Sequence, residues 1–560
     1  MAGESSISVS GDGEAPASPT RQGGWNTTPF FIATMAGFTL SAGGWLSNLI
    51  VYLIKEFNIE SIDAAQIFNV VNGCTNFFPL IAAILADSFL GCFSVIWISS
   101  LFSLLGLVLL VLTVTVDGLR PPQCESASTC ITPSGIQYAL LYAALGLGSI
   151  GIGGTRYTLA TIGANQFTKS NHQTTYFNWY FVTLYVATLI ASTAIVYVED
   201  NLSWVWGFGI CIVANVFGFA IFLLGSRYYR CDKREGSPFT SIARVIVASL
   251  RKRKAVISSQ SEDYYYGDKG IVAEAPTKSF RLFNRAALNT EGDTILPNGS
   301  ISKPWKLCTV QQVEDLKTLI RILPLWSSSI LLSTPIGVQA SLSILQALTM
   351  DRHLGRLHFQ IPPGSMLIFT IISSAICLTL FDRCLWPLWT KIVGKNSTPF
   401  QQIGIGHVFN VASMAVSALV EAKRRSHHHL QSGSNNIVPM SVLWLVPQLV
   451  IVGIGEAFHF PGQVGLYYQE FPSSLKSLST AMIGSLIGIA FYMSTVLIDF
   501  VRRVTAWLPD NINDGRLDNV YWVLVVLGVV NFGYYLVCAW FYKYKDVEVV
   551  EGHEDDHFGR

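Results

Sequence analysis

The sequence predicts an all-α polytopic membrane protein, with twelve transmembrane helices grouped six plus six around a long polar middle. Two observations predict it. Apolar segments of about 20 residues or more, enough to cross a hydrocarbon core of about 30 Å, recur along most of the 560 residues. Charged residues make up 13% of the chain, against about 25% in a soluble domain, and they gather in a few segments. A formal net charge of +1 gives no basis for nucleic-acid binding. The ten cysteines show no repeated C-x-x-C spacing, so neither a zinc nor an iron–sulfur framework is expected. No cofactor or metal follows from the sequence.

Residues 1–28 are rich in Gly, Ser, Pro and acids and read as a disordered tail. The first apolar run, 29–54, is too long for the h-region of a signal peptide and lacks a small-residue cleavage site. Further spans fall at 65–86, 92–116, 136–163, 175–197 and 203–225, closing an N-terminal bundle over 29–225. A second bundle, 311–542, holds spans at 315–349, 363–385, 399–421, 438–460, 477–500 and 519–542, and 543–560 is a tail. Several spans exceed the minimum length, which implies tilt or extension beyond the bilayer. The seventh contains Pro324 and Pro335 and is expected to kink.

The linker, 226–310, is polar and basic, with a run at Arg251, Lys252, Arg253 and Lys254. Just before it, Ser241–Leu250 (SIARVIVASL) has the pattern of an amphipathic helix. A helix lying on the bilayer surface and a plain solvated linker helix both remain open, and the basic run suits anionic headgroups. An even number of spans puts both termini on one side, and the Lys and Arg of the linker argue that this side is cytosolic. Lys423, Arg424, Arg425, Arg502, Arg503 and Arg516 then fall on the other side, so charge alone does not decide the orientation. Cys124 and Cys130 share one polar loop and can pair if it faces an oxidising side.

Six plus six helices with a central loop suggest two bundles that rock around a midplane site. A channel or a membrane enzyme would share the hydropathy. No H-E-x-x-H, G-x-S-x-G or paired His/Asp ligand cluster is present, which argues against an enzyme. His427, His428 and His429 lie in a polar loop and read as a solvated run. The stretch Leu145–Phe167, LGLGSIGIGGTRYTLATIGANQF, is different. Its glycines thin it for close approach by neighbours, and it carries Arg156 among apolar residues. A charge at membrane depth costs about 2.5–3.5 kcal/mol on insertion scales and marks a functional site by default; a snorkelling or structurally paired arginine is the alternative.

The segment Gly151–Phe167 (GIGGTRYTLATIGANQF) resembles the fourth-helix signature of the proton-coupled oligopeptide transporters in their plant branch, the nitrate and peptide transporters of the major facilitator superfamily. Similar matches run along the chain at Asn48–Leu53 (NLIVYL), Ala86–Gly91 (ADSFLG), Lys303–Lys317 (KPWKLCTVQQVEDLK), Ile322–Trp326 (ILPLW) and Phe381–Arg383 (FDR). They continue at Gly404–Arg424, Gly453–Gln463 (GIGEAFHFPGQ) and Asn513–Trp522 (NDGRLDNVYW). The resemblance implies a major facilitator fold with termini and linker in the cytosol. It also exposes departures. Where the family carries E-x-x-E-R or E-x-x-E-K in its first helix, this chain has Met35, Phe38 and Thr39. The fifth helix has Tyr185 in place of the family's asparagine, the seventh has no histidine, and Arg156 stands where most relatives have lysine. This combination is similar to the nitrate excretion transporter subgroup, which implies nitrate and chloride as cargo and the plasma membrane, rather than the vacuolar membrane, as location.

Physically, losing both first-helix glutamates removes the obvious proton-coupling group and up to two negative charges. Arg156 remains, always charged and presenting a planar fork of donors that matches a planar oxyanion. A peptide would also need an acid for its amino terminus. The expected function is therefore passive efflux of small monovalent anions by alternating access around Arg156. Tyr52, Tyr157, Tyr185, Gln339 and Gln463 are candidate neutral cavity groups. Glu456, with His459 three positions on, is the remaining acid well inside a span; it reads as a counter-ion to Arg156, as a residual proton site, or as a structural hydrogen-bonding group. His407, heading the ninth helix, reads as interfacial. Asp87, Asp382, Arg383 and Asp499, near span ends, read as gating or structural pairs. Two other functions stay open: proton symport of nitrate or an organic anion or hormone through Glu456, and a transport-impaired sensor or regulatory partner.

Overall fold

The computed structural model describes residues 23–122, 131–230, 238–258, 260–267, 276–290, 303–354, 359–395, 397–430, 437–471 and 476–542. The two tails and the loop with Cys124 and Cys130 lie outside them. The N-terminal half runs through α1 (Thr28–Ser47), α2 (Leu49–Phe57), α3 (Ser61–Leu85), α4 (Cys92–Thr115), α5 (Gly135–Ala164), α6 (Ser170–Ile190), α7 (Val196–Asn201) and α8 (Trp204–Gly225). The linker holds α9 (Pro238–Arg251). The second half holds α10 (Val310–Leu348), α11 (Ile368–Leu380), α12 (Trp386–Val393), α13 (Pro399–Leu430), α14 (Val446–Glu470), α15 (Lys476–Val504) and α16 (Leu517–Phe541). Twelve segments are long and apolar enough to cross a membrane, with α6–α7 and α11–α12 each making one. Two short strands, β1 (Met350–Asp351) and β2 (Val438–Ser441), pair in parallel. The described residues form an all-α multi-pass membrane protein, as the sequence predicts.

Several of the sequence motifs are local backbone devices. The first span, expected as one run, is broken at Asn48, which leaves helical geometry (φ −106°, ψ 10°) between α1 and α2. ADSFLG forms a π turn over Ala86–Leu90 that ends at Gly91 with φ 79°, and FDR opens the π turn Phe381–Leu385 at the matching place in the second half. A third π turn, Ala191–Ile195, separates α6 from α7. Such turns shift the helical hydrogen-bond ladder and recur at functional sites. TVQQ is a capping box: Thr309 accepts from Gln312 N–H while the Gln312 side chain accepts from Thr309 N–H, which satisfies two donors that a helix start leaves free.

The amphipathic linker helix does not need the bilayer for its apolar face. Val245 and Ala248 of α9 are buried with Tyr264, Ala286, Leu288, Cys308, Val310 and Leu316, and the Cys308 thiol is pushed up to about 11 by burial. Lys252, taken as part of a membrane-facing basic run, is instead buried and donates to the Leu288 carbonyl at 2.6 Å. The described part of the linker is a folded cap over the start of α10. An amphipathic pattern specifies an apolar face but not what covers it.

The cations that offended the charge rule are nearly all matched. On the side opposite the linker, Arg502 reaches Asp63 at 2.6 Å, Glu60 at 3.0 Å and Asp510 at 2.6 Å. Arg503 pairs with Asp499 at 2.9 Å, Arg425 with Asp518 at 2.9 Å, and Lys423 sits 3.4 Å above the Trp444 ring. Arg424, fully buried, is held by Glu421 at 2.8 Å and donates to Asn513 Oδ1 and Thr349. Gln346 donates to Glu421, and Tyr521 donates to Gln346. The VEAKR and NDGRLDNVYW motifs are thus one buried network tying α10, α13 and α16 together. Glu60 is held above the ordinary carboxylate range, chiefly by a hydrogen bond with the Asp510 carboxyl.

Removing one member of a buried ion pair typically costs about 3–5 kcal/mol, because the other charge is left without a partner. Arg424→Met should therefore lower the unfolding midpoint of detergent-solubilised protein sharply. Arg424→Met with Glu421→Gln should recover much of that loss; a double variant as unstable as the single one would show that the pair is not the source.

Candidate functional site

A cavity of about 180 Å³ opens in the N-terminal bundle, lined by residues of α1, α3, α4, α5 and α6. Its construction begins with α5. Ser134 and Gln137 form a capping box at its start, and its glycine face lets α4 come close. A Cβ built on Gly151 would lie 2.4 Å from Ser103 Cβ, and one on Gly154 would lie 1.9 Å from Ser99 Oγ. Arg156, one turn on, is half-buried and lines the cavity. Tyr180 of α6 donates its hydroxyl to the Arg156 carbonyl at 2.6 Å, which fixes that turn from the other side.

Met35, Phe38 and Thr39, the three departures in the first helix, all line this same cavity. Met35 and Phe38 pack with Phe31, Leu159 and Ile162 in a buried cluster, and Thr39 turns its hydroxyl to Met35 Sδ at 3.6 Å. An apolar wall therefore faces Arg156 where the family places acids. The remaining lining is neutral: Ser47, Asn72, Thr75, Asn76, Ser103, Thr155 and Thr188 supply polar groups, and Ala42, Leu46, Ile152, Leu159 and Leu184 are apolar. Among the described residues, Arg156 is the one charged side chain on the wall. Asn72, Thr75 and Asn76 were not picked out from sequence. Their signal was there, polar residues three and four apart on one face of an apolar helix.

The other candidates are dispersed. Tyr52 is buried in the core, its hydroxyl 2.6 Å from Thr113 Oγ1 and its ring against Trp204 and Phe208. The Tyr157 side chain lies outside the described residues. Tyr185 of α6 is within electrostatic reach of both Arg156 and Glu456, which places it where the two halves face each other. Gln339 is buried in the second half and donates to Ser413 and Ser417 at 3.0 and 2.8 Å, clasping α10 to α13. Gln463 is 1% exposed, and neither atom of its amide has a hydrogen-bond partner among the described residues.

Glu456 and His459, adjacent on one helix, face different neighbours. Glu456 lies within hydrogen-bonding reach of Ser374 of α11, whereas His459 packs its Cβ against Gly406 of α13. His407, expected at the interface, is fully buried and stacked 4.7 Å from the Tyr535 ring. Its position at the head of a span in sequence does not place it at the surface, because α13 begins at Pro399 and carries it a further two turns inward. Among the described residues no group of three or more His, Cys, Asp or Glu could hold a metal ion.

Comparison with known proteins agrees with this architecture. A family model described as the POT family matches residues 93–514. Protein NRT1/PTR family 2.7 of Arabidopsis thaliana is 54% identical over 560 residues, covering 98% of each chain. Protein NRT1/PTR family 2.6 of the same plant is 54% identical over 558 residues, covering 98% of this chain and 99% of its own. The crystal structure of an auto-inhibited POT family peptide transporter shares the fold with a TM-score of 0.69 and 16% identity, over 93% of this chain and 98% of that one. A sulfate complex of the peptide transporter POT superposes with a TM-score of 0.63 and 13% identity, over 92% and 96%.

The α4–α5 seam sets where Arg156 stands. Gly154→Val would place atoms inside Ser99, and overpacking of this kind costs roughly 1–3 kcal/mol or more. The expected result is a lower unfolding midpoint, partly restored by Ser99→Gly in the same chain. An unaffected Gly154→Val protein would mean that the seam does not hold α5.

Proposed function

We propose, from the premise that the chain belongs to the POT family and is a membrane transporter of its NRT1/PTR branch, that it moves small monovalent anions, nitrate and chloride, by passive uniport. The observation that carries this reading is the cavity wall. Arg156 faces Met35, Phe38 and Thr39, and no carboxylate of the described residues shares the lining. At about 180 Å³ the space suits a small ion with a few waters and falls below the roughly 300–1,000 Å³ of a drug-sized pocket. Arginine offers nitrate two parallel donors and offers chloride a fixed positive charge. The neighbouring hydroxyls and amides supply further neutral contacts.

An inside-negative potential contributes about 2.3 kcal/mol per charge per 100 mV, so an uncoupled anion carrier with its termini in the cytosol runs outward across the plasma membrane. A second reading, proton symport through Glu456, is favoured by one observation: Tyr185 lies within electrostatic reach of both Glu456 and Arg156, so a charge change at either is felt at Tyr185 between them.

Reconstituted protein decides between them. A charge-assisted hydrogen bond contributes about 1.5–3 kcal/mol, so Arg156→Gln should cut nitrate and chloride flux by roughly tenfold or more in correctly inserted protein. Unchanged flux would remove the assignment. In voltage-clamped vesicles the reversal potential should follow the anion gradient alone and stay fixed when a pH gradient is imposed. Uphill nitrate accumulation driven by a proton gradient would overturn uniport in favour of the Glu456 reading, and a complete lack of anion flux would favour a sensor.

A further inference from the structure

Glu199 is a buried acid that the anion site does not use. It lies on α7, the one-and-a-half-turn segment beyond the π turn Ala191–Ile195, and is 2% exposed. Neither carboxylate oxygen has a hydrogen-bond partner among the described residues. Its polar neighbour is the Asn48 amide at the break between α1 and α2, which also makes no hydrogen bond of full geometry. The pocket is shaped for it: a Cβ on Gly207 of α8 would lie 2.1 Å from Glu199 Cγ. The titratable groups around it are Cys211 of α8 and Asp200 beside it. The cations nearby are spent on Asp200, which is ion-paired with Lys55 at 2.5 Å and Arg352 at 3.2 Å.

The second bundle also touches the first at this short segment. Ser365 donates to the Ser192 carbonyl at 2.6 Å, Phe359 stacks on Tyr197 with centroids 5.4 Å apart, and Arg352 reaches Asp200. Gly364 presses on the Asn48 break, where a Cβ would lie 3.0 Å from Asn48 Oδ1. The second bundle's contacts beside Glu199, at Ser192, Tyr197, Asp200 and the Asn48 break, are ones that must part when that side opens. A carboxylate cannot be kept from water without a cation or donors except at a cost of several kcal/mol, whereas its protonated form can.

We propose that Glu199 is a proton-binding site: it holds a proton while the far side is closed over α7 and releases it to that side when the bundles part. The closed form then carries one proton more than the open form, so acid on the far side favours closure, by up to about tenfold per pH unit. In this proposal the proton is a regulator of opening and not a co-transported ion. The inference rests on alternating access and not on the identity of the anion.

Opening is read without any substrate. In vesicles with the far side outward, Ser365→Cys is labelled with a membrane-impermeant maleimide between pH 5 and 8, against the parent protein as baseline. Taking the ratio of rates with Glu199 and with Glu199→Gln at each pH cancels the chemistry of the thiol. That ratio should rise up to about tenfold per pH unit over part of the range, and Glu60→Gln should leave the rise intact. A flat ratio overturns the proposal, as does a slope lost in Glu60→Gln and kept in Glu199→Gln. In the unmodified protein, amide exchange over 196–201, corrected for its intrinsic pH dependence, should quicken with rising pH; a flat profile there equally overturns it. Because no anion is present, failure of the nitrate and chloride reading would show only in the flux experiments.

Discussion

The cost of holding a charge away from water shapes this molecule more than any other constraint. Where a cation lies inside the fold it is met: Arg424 by Glu421 and Asn513, Arg502 by three carboxylates, Lys252 by a carbonyl. These matches explain how Lys423, Arg424, Arg425, Arg502 and Arg503 can share one side of the protein without deciding its orientation.

Against that background the wall around Arg156 stands out for what it contains. The first helix supplies a thioether, a phenyl ring and a hydroxyl turned to its own neighbour, so the field of the guanidinium is not offset by acids on the lining. The turn that carries the guanidinium is held from two sides, by the α4–α5 seam and by Tyr180. Little reorganisation is left for the moment of binding, which is where preorganised sites gain affinity.

The two bundles are joined away from the linker. Asn69 reaches Ser341 at 3.3 Å and Tyr492 meets Cys74 at 3.1 Å, with the Arg502 and Arg352 pairs beyond them. Apolar packing joins the same faces, with Ile62 and Phe68 in one buried cluster with Val338, Leu342 and Val501; the polar links are the part of the junction that water can replace as the faces separate. The π turn before α7 and the break at Asn48 lie beside each other, with Ser47 Oγ 3.4 Å from Ser192 Oγ, and both are places where the helical ladder is already interrupted.

By itself the sequence determined the spans, the family and the missing acids, because each is a local property. Hydropathy sums over some twenty neighbours, and a motif such as GIGGTRYTLATIGANQF is contiguous. Even the first-helix departures are legible from Met35, Phe38 and Thr39 alone. Pairing is not local. Arg502 and Glu60 are 442 residues apart, and Arg424 and Asn513 are 89 apart. Only the tertiary structure could show that α9 covers a folded linker, that His407 is buried, that Glu456 and His459 diverge, or that Tyr52 belongs to the core. Adjacency along a helix gives the angle between side chains but not which neighbour each meets. Arg156 was visible as a charge in an apolar run, but that the three lost positions face it across one small cavity was decided by how α1 and α5 pack.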